Sequence, residues 1–174
     1  MARPVAAPAV RAALLLMTPV LLGATDFRAN FDSRLVAAHN RERAALGIPS
    51  LEWDEQLAGG ARDWAEHLAA AELFEHSPNE PGGQQIGENI WGGTPGRFSP
   101  ERMVGLWISE KNHFKEGVFP ANSTTGRVED VSHYTQVVWR QSRRVGCAVS
   151  RGAREEILVC RYSHAGNIMG QAPF

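Results

Sequence analysis

With 174 residues, the chain has the length of one domain with a sizeable core. A formal net charge of −1 leaves no global field to attract nucleic acid or an acidic substrate. Arginine carries nearly all the basic charge, the only lysines being Lys111 and Lys115, and "RQSRR" at 140–144 is too short for a nucleic-acid arm.

Residues 1–24 read as a signal peptide. Arg3 and Arg11 flank the start, no acid is present, and the apolar run from Ala12 to Leu22 is too short to span a bilayer comfortably. Cleavage is expected near Ala24, although Leu22 is larger than the usual small residue two positions before it. The expected destination is the extracellular space, or the periplasm in a Gram-negative host, with no stable membrane span.

A first helix is expected after Asp32 and Ser33, ending at Gly47 with Pro49 beyond. The second starts at Asp54, and Leu57, Ala61, Trp64, Ala65 and Leu68 follow at helical spacing. Its Gly59–Gly60 pair lowers helix propensity but permits close packing. Glycine and proline dominate residues 74–98, which are expected to be mostly irregular and, at that length, functional. A third helix opens with Ser99 as cap and Pro100 in its first turn. Met103, Trp107 and Glu110 then share a face, which makes Glu110 either the rim of an apolar stripe or a buried carboxylate. Residues 116–130 form a further loop, containing the sequon Asn122-Ser123-Thr124.

"SHYTQVVW" (132–139) fits two patterns. Alternation suggests a strand, whereas Ser132 as cap with Tyr134, Val137 and Val138 suggests a short helix. Beyond it, "GCAVS" and "EILVC" flank "RGAR", a hairpin turning near Ala153 and Arg154. That hairpin sets Cys147 opposite Cys160, within disulfide reach, and an exported protein meets oxidising conditions. Closing so short a loop contributes about 3 kcal/mol.

"SHYTQVVWRQS" together with "LVCRYSHAGNIMG" resembles the two signatures of the CAP superfamily: cysteine-rich secretory proteins, antigen five and plant pathogenesis-related group one proteins. "AAHNRERAALGIPSLEWDEQLA", "WAEHLA", "EHSP", "GENIW" and "WISEKNHF" follow the same family's order, so the resemblance covers residues 31–174 and looks most like the plant branch. It implies an α+β fold, a three-layer α-β-α sandwich with a central, mainly antiparallel sheet, in which "HYTQVVW" is a short helix. It also implies a cleft tetrad of two histidines and two glutamates, which map to His76, Glu88, Glu110 and His133. Such a set either holds zinc or another divalent metal, or forms a metal-free hydrogen-bond network.

By the same resemblance the protein is expected to be secreted and to bind a small apolar ligand (a sterol or lipid), a divalent metal, or both. The alternative is a secreted, protease-like hydrolase with His133 as general base and Glu88 or Glu110 orienting it. Ser77 and Ser109 neighbour the tetrad, but no GxSxG elbow is present. Departures from the family pattern are Ser132 before the histidine, and Arg161 and His164 in the second signature. His164 is not a tetrad member. His39 is expected to hydrogen-bond structurally and His67 to pack beside Trp64.

Overall fold

The computed structural model describes residues 29–78 and 85–174, so the signal-like run and its cleavage point lie outside the described residues. Helix α1 spans Phe31–Ala45, strand β1 Glu52–Trp53, helix α2 Glu55–Ala71 and strand β2 Ile86–Gly93. Helix α3 (Pro100–Ser109), helix α4 (Ser132–Val137), strand β3 (Arg144–Arg151) and strand β4 (Glu156–Ser163) follow. Short 3-10 turns at Glu110–His113 and Val128–Asp130 join α3 to α4.

Two of the three expected helix starts stand where the caps place them. Asp54 accepts hydrogen bonds from the Gln56 and Leu57 amides at 3.0 Å, and Ser99 Oγ accepts from the Arg102 amide at 3.3 Å. Helix α1 instead begins at Phe31, three residues before the expected start after Ser33. Asn30 adopts a left-handed conformation before it, and Ser33 Oγ donates to the Asn30 carbonyl rather than capping from its own position. Gly47, at φ 65°, turns the chain out of α1 as expected.

The sheet order is β1-β3-β4-β2, with β1 parallel to β3 and the other pairings antiparallel. Alternation along β4 divides the interior. Leu158, Cys160 and Tyr162 join Leu35, Met103, Trp107 and Val137 from α1, α3 and α4. Ile157 and Val159 join Ala61, Ala65 and Leu68 of α2 on the opposite face. Each fully buried leucine or methionine in these two layers contributes about 1.5–3 kcal/mol. The result is the expected α-β-α sandwich around a mainly antiparallel sheet.

Among the described residues of 74–98, all but 86–93 are irregular as expected; the exception is β2, which pairs along β4 from Ile86↔Ser163 to Gly93↔Glu156. The glycines that argued for a loop serve close approach instead. A Cβ on Gly87 would lie 2.1 Å from Gln136 Oε1, and one on Gly93 would lie 2.4 Å from the Trp91 ring. Between β3 and β4 the hairpin turns at Ala153 and Arg154, with the Gly152 amide donating to the Glu155 carbonyl at 2.8 Å. Cys147 and Cys160 are register partners and are disulfide-bonded.

Candidate functional site

The four tetrad residues form two carboxylate–imidazole pairs. In the first, His76 lies on the loop after α2 and Glu88 on β2; His76 Nδ1–H donates to Glu88 Oε1 at 2.9 Å. The Ser77 amide also donates to Oε1 at 2.9 Å, and the Ser77 hydroxyl donates to Oε2 at 2.8 Å. Arg161, the β4 partner of Glu88, completes the set with Nε 3.3 Å from Oε2. Burial alone would raise the Glu88 pKa, but the His76, Ser77 and Arg161 donors outweigh it and hold the carboxyl below its ordinary value. The hydrogen bond to Glu88 raises the His76 pKa in turn. The histidine side chain is 64% exposed while its glutamate is only 8% exposed, so the ring projects outward from a buried anchor.

In the second pair, Glu110 stands where α3 ends and His133 is the second residue of α4. His133 Nδ1–H donates to Glu110 Oε1 at 2.6 Å. Glu110 Oε2 accepts from the backbone amides of His133 and Tyr134 at 2.9 and 3.0 Å. Helix α4 has no side-chain cap of its own, so Glu110 supplies one from another element. The Trp107 ring lies parallel to the His133 ring at 6.2 Å between centroids, fixing the imidazole plane. Hence the glutamate paired with His133 is Glu110, and Glu88 belongs to His76.

Asn89, next to Glu88 on β2, links the two pairs. Its Nδ2 donates to the His133 carbonyl at 3.1 Å and to the Tyr162 hydroxyl at 3.4 Å. Behind it, Tyr162 Oη donates to His39 Nε2 at 2.8 Å, while His39 Nδ1–H donates to the Leu35 carbonyl at 2.8 Å. His39 is fully buried, and desolvation lowers its pKa to about 4, which keeps it neutral and structural as expected. His67 stacks on Trp64 at 4.8 Å, and His164 joins neither pair. Asn89, Trp107, Tyr162 and Arg161 support the tetrad in ways that only the fold reveals, since each acts across elements.

The chemistry open to this arrangement follows from what is already occupied. Both Nδ1 atoms are held by carboxylates, and among the described residues neither Nε2 atom has a hydrogen-bond partner. The Ser77 hydroxyl donates to Glu88 and the Ser109 hydroxyl to the Leu106 carbonyl, so neither serine is paired with an imidazole. For zinc, the donor set falls short: among the described residues no group of three or more His, Cys, Asp or Glu side chains is placed to hold a metal ion. Both glutamates spend their oxygens on N–H and O–H donors, which leaves only the two imidazoles.

An apolar recess of about 300 Å³ lies at the end of α2 against the β3–β4 turn, and none of the four tetrad residues lines it. Leu68, Ala69, Leu73, Phe74 and Ile157 form its apolar lining, and Glu72, Arg154 and Glu155 its charged lining. Phe74 precedes His76 by two residues, so the recess and His76 share one loop. Among the described residues no helix is long and apolar enough to cross a membrane. Asn122, of the sequon, is fully buried, which denies a glycan access in the folded domain.

Fold and site together define an α-β-α domain with paired His and Glu side chains, and comparison with known proteins identifies the class. The model of the cysteine-rich secretory protein family, CAP, matches residues 36–162, and the chain belongs to this family. Pathogenesis-related protein 1C of Nicotiana tabacum is 36% identical over 138 residues, covering 79% of this chain and 77% of its own. Pathogenesis-related protein 1 of Arabidopsis thaliana is 37% identical over 138 residues, covering 78% of each. Among solved structures, NaASP2 with Zn2+ superposes with a TM-score of 0.69 at 21% identity, covering 82% of this chain and 84% of that one. BmVAL-1 gives a TM-score of 0.67 at 23% identity, covering 83% and 81%. These two show a shared fold.

Proposed function

We propose that this chain is an exported binding protein whose domain takes a small apolar ligand of the sterol or lipid class. One observation carries the reading: Phe74 and Leu73 are 60% and 42% exposed beside an apolar recess. Large apolar side chains on a concave surface lose unfavourable contact with water when a ligand covers them. Export is supported by the signal-like run, by the family's secretory description and by the Cys147–Cys160 bridge. The test is incubation of the purified protein with a total lipid extract, followed by mass spectrometry of what co-purifies. A Leu73→Ser/Phe74→Ser variant is expected to retain at least about fivefold less lipid, a loss of about 1 kcal/mol of binding. Equal retention by wild type and variant would remove the reading.

A divalent metal is the second reading, favoured by the carboxylates on both Nδ1 atoms, an arrangement that orients imidazoles toward a metal through Nε2. Two such ligands without a third make a weak site. Zinc titration of wild type against a His76→Ala/His133→Ala variant decides it, equal binding leaving the tetrad as a hydrogen-bond network. A hydrolase is the least supported reading, because among the described residues no hydroxyl is hydrogen-bonded to the His133 ring.

A further inference from the structure

We infer that Arg161 sets the cation preference of the His76–Glu88 pair: its guanidinium occupies the charge-balancing place on Glu88 and keeps divalent metal off His76. Three observations converge on it. Arg161 faces Glu88 directly across the β2–β4 ladder, with Nε 3.3 Å from Oε2, and the two side chains are 20% and 8% exposed. Each oxygen of Glu88 already accepts two hydrogen bonds, from His76 and the Ser77 amide on one and from Ser77 Oγ and Arg161 on the other. A carboxylate has about four lone-pair sites, so none remains for a metal.

The guanidinium also has a fitted place to lie. A Cβ on Gly60 of α2 would stand 2.5 Å from Arg161 Nη1, so only glycine lets the arginine rest against the helix there. By contrast, a Cβ on the adjacent Gly59 would meet nothing within 4 Å. Arginine stays charged at every relevant pH, and a fixed charge in a partly buried setting is screened little by salt. A dication approaching the free Nε2 of His76 is repelled by it, with twice the energy that a monovalent cation would feel. Zinc therefore gains an imidazole at His76 only against a resident positive charge, and without help from the Glu88 carboxylate.

Calorimetric titration of zinc alone into the purified protein tests this inference, which rests on the second, metal reading of the site and on the exposed His76 ring. Arg161→Gln is expected to bind zinc at least about tenfold more tightly than wild type, equivalent to 1.4 kcal/mol. Arg161→Lys, which keeps the charge, is expected to stay within about threefold of wild type. Adding His76→Ala to Arg161→Gln is expected to erase the gain. No gain in Arg161→Gln, or a gain that survives His76→Ala, overturns the inference. Should Arg161→Gln fail to fold, as judged by near-ultraviolet circular dichroism, Gly60→Ala displaces the guanidinium instead and is held to the same two criteria. Lipid retention is a separate readout, so failure of the ligand reading and failure of this one are told apart.

Discussion

Glu110 shows how much one side chain carries at this site. Its two oxygens bind the His133 ring and cap the first amides of α4, so the imidazole and the helix that bears it are positioned by the same carboxylate. The sequence placed Glu110 in line with Met103 and Trp107 but left its burial open; the structure makes it a cap with its side chain 19% exposed. Which histidine takes which glutamate was not legible, because the pairing depends on where β2 lies relative to α3. Family motifs named the tetrad; the cross-element partners Asn89 and Arg161 have no local signature. His39 was legible as structural, and its burial has a measurable consequence. With its folded pKa at about 4 against an ordinary 6.5, His39 contributes stability that is fully present above pH 6.5 and is lost as pH falls toward 4. The gap corresponds to roughly 3 kcal/mol, most of it gone by about pH 4.5. The Glu88 contribution, from a lowered carboxyl pKa, is lost only below the ordinary glutamate value of 4.5, outside that window. Urea denaturation at several pH values should therefore give wild type a steeper acid loss between pH 6.5 and 4.5 than His39→Gln, and parallel curves would remove His39 as the cause.

At the scale of elements, helices were read better than strands. Asp54 and Ser99 announce α2 and α3 because a cap is a local event, satisfied within three residues. Strand β2 was hidden because Gly87, Gly92 and Gly93 lower strand propensity, while the gain from leaving out side chains appears only when Gln136 reaches Gly87, and Glu155 and Ile157 reach Gly92, from distant sequence. Gly146 poses the same question for β3. A Cβ there would lie 2.1 Å from the Ala58 nitrogen and 2.4 Å from the Asp54 carbonyl oxygen, backbone atoms at the start of α2 that cannot step aside cheaply. Gly146→Ala is expected to lower stability by at least about 3 kcal/mol, by prying α2 off the sheet. Gly59→Ala, with open space around its Cβ, is expected to be neutral or to stabilise α2 by up to about 1 kcal/mol. Thermal melts of the two variants check the contrast, and similar shifts in both would mean that helix–strand approach is not what selects glycine at 146.

For the whole molecule, the sheet is a plate between two apolar layers, and the Cys147–Cys160 bridge fastens its two central strands. That bridge was legible because a short hairpin fixes the register of its own strands, whereas the order β1-β3-β4-β2 depends on contacts made across much of the chain. Arg43 is an instance of the latter: fully buried, it donates to the carbonyls of Pro49, Val137, Trp139 and Ser142 and so ties α1 to the chain leaving α4. The packed part of α1 begins at Phe31 and Leu35, both in the larger apolar layer. Export with processing predicts that protein recovered outside the cytoplasm begins close to residue 25. Its non-reduced digest should contain Cys147 and Cys160 in one linked peptide pair, with neither thiol alkylated before reduction. An intact Met1 on that exported form would exclude a cleaved signal and leave an anchor, while alkylation of both thiols without reduction would mean that the bridge does not form where the protein works.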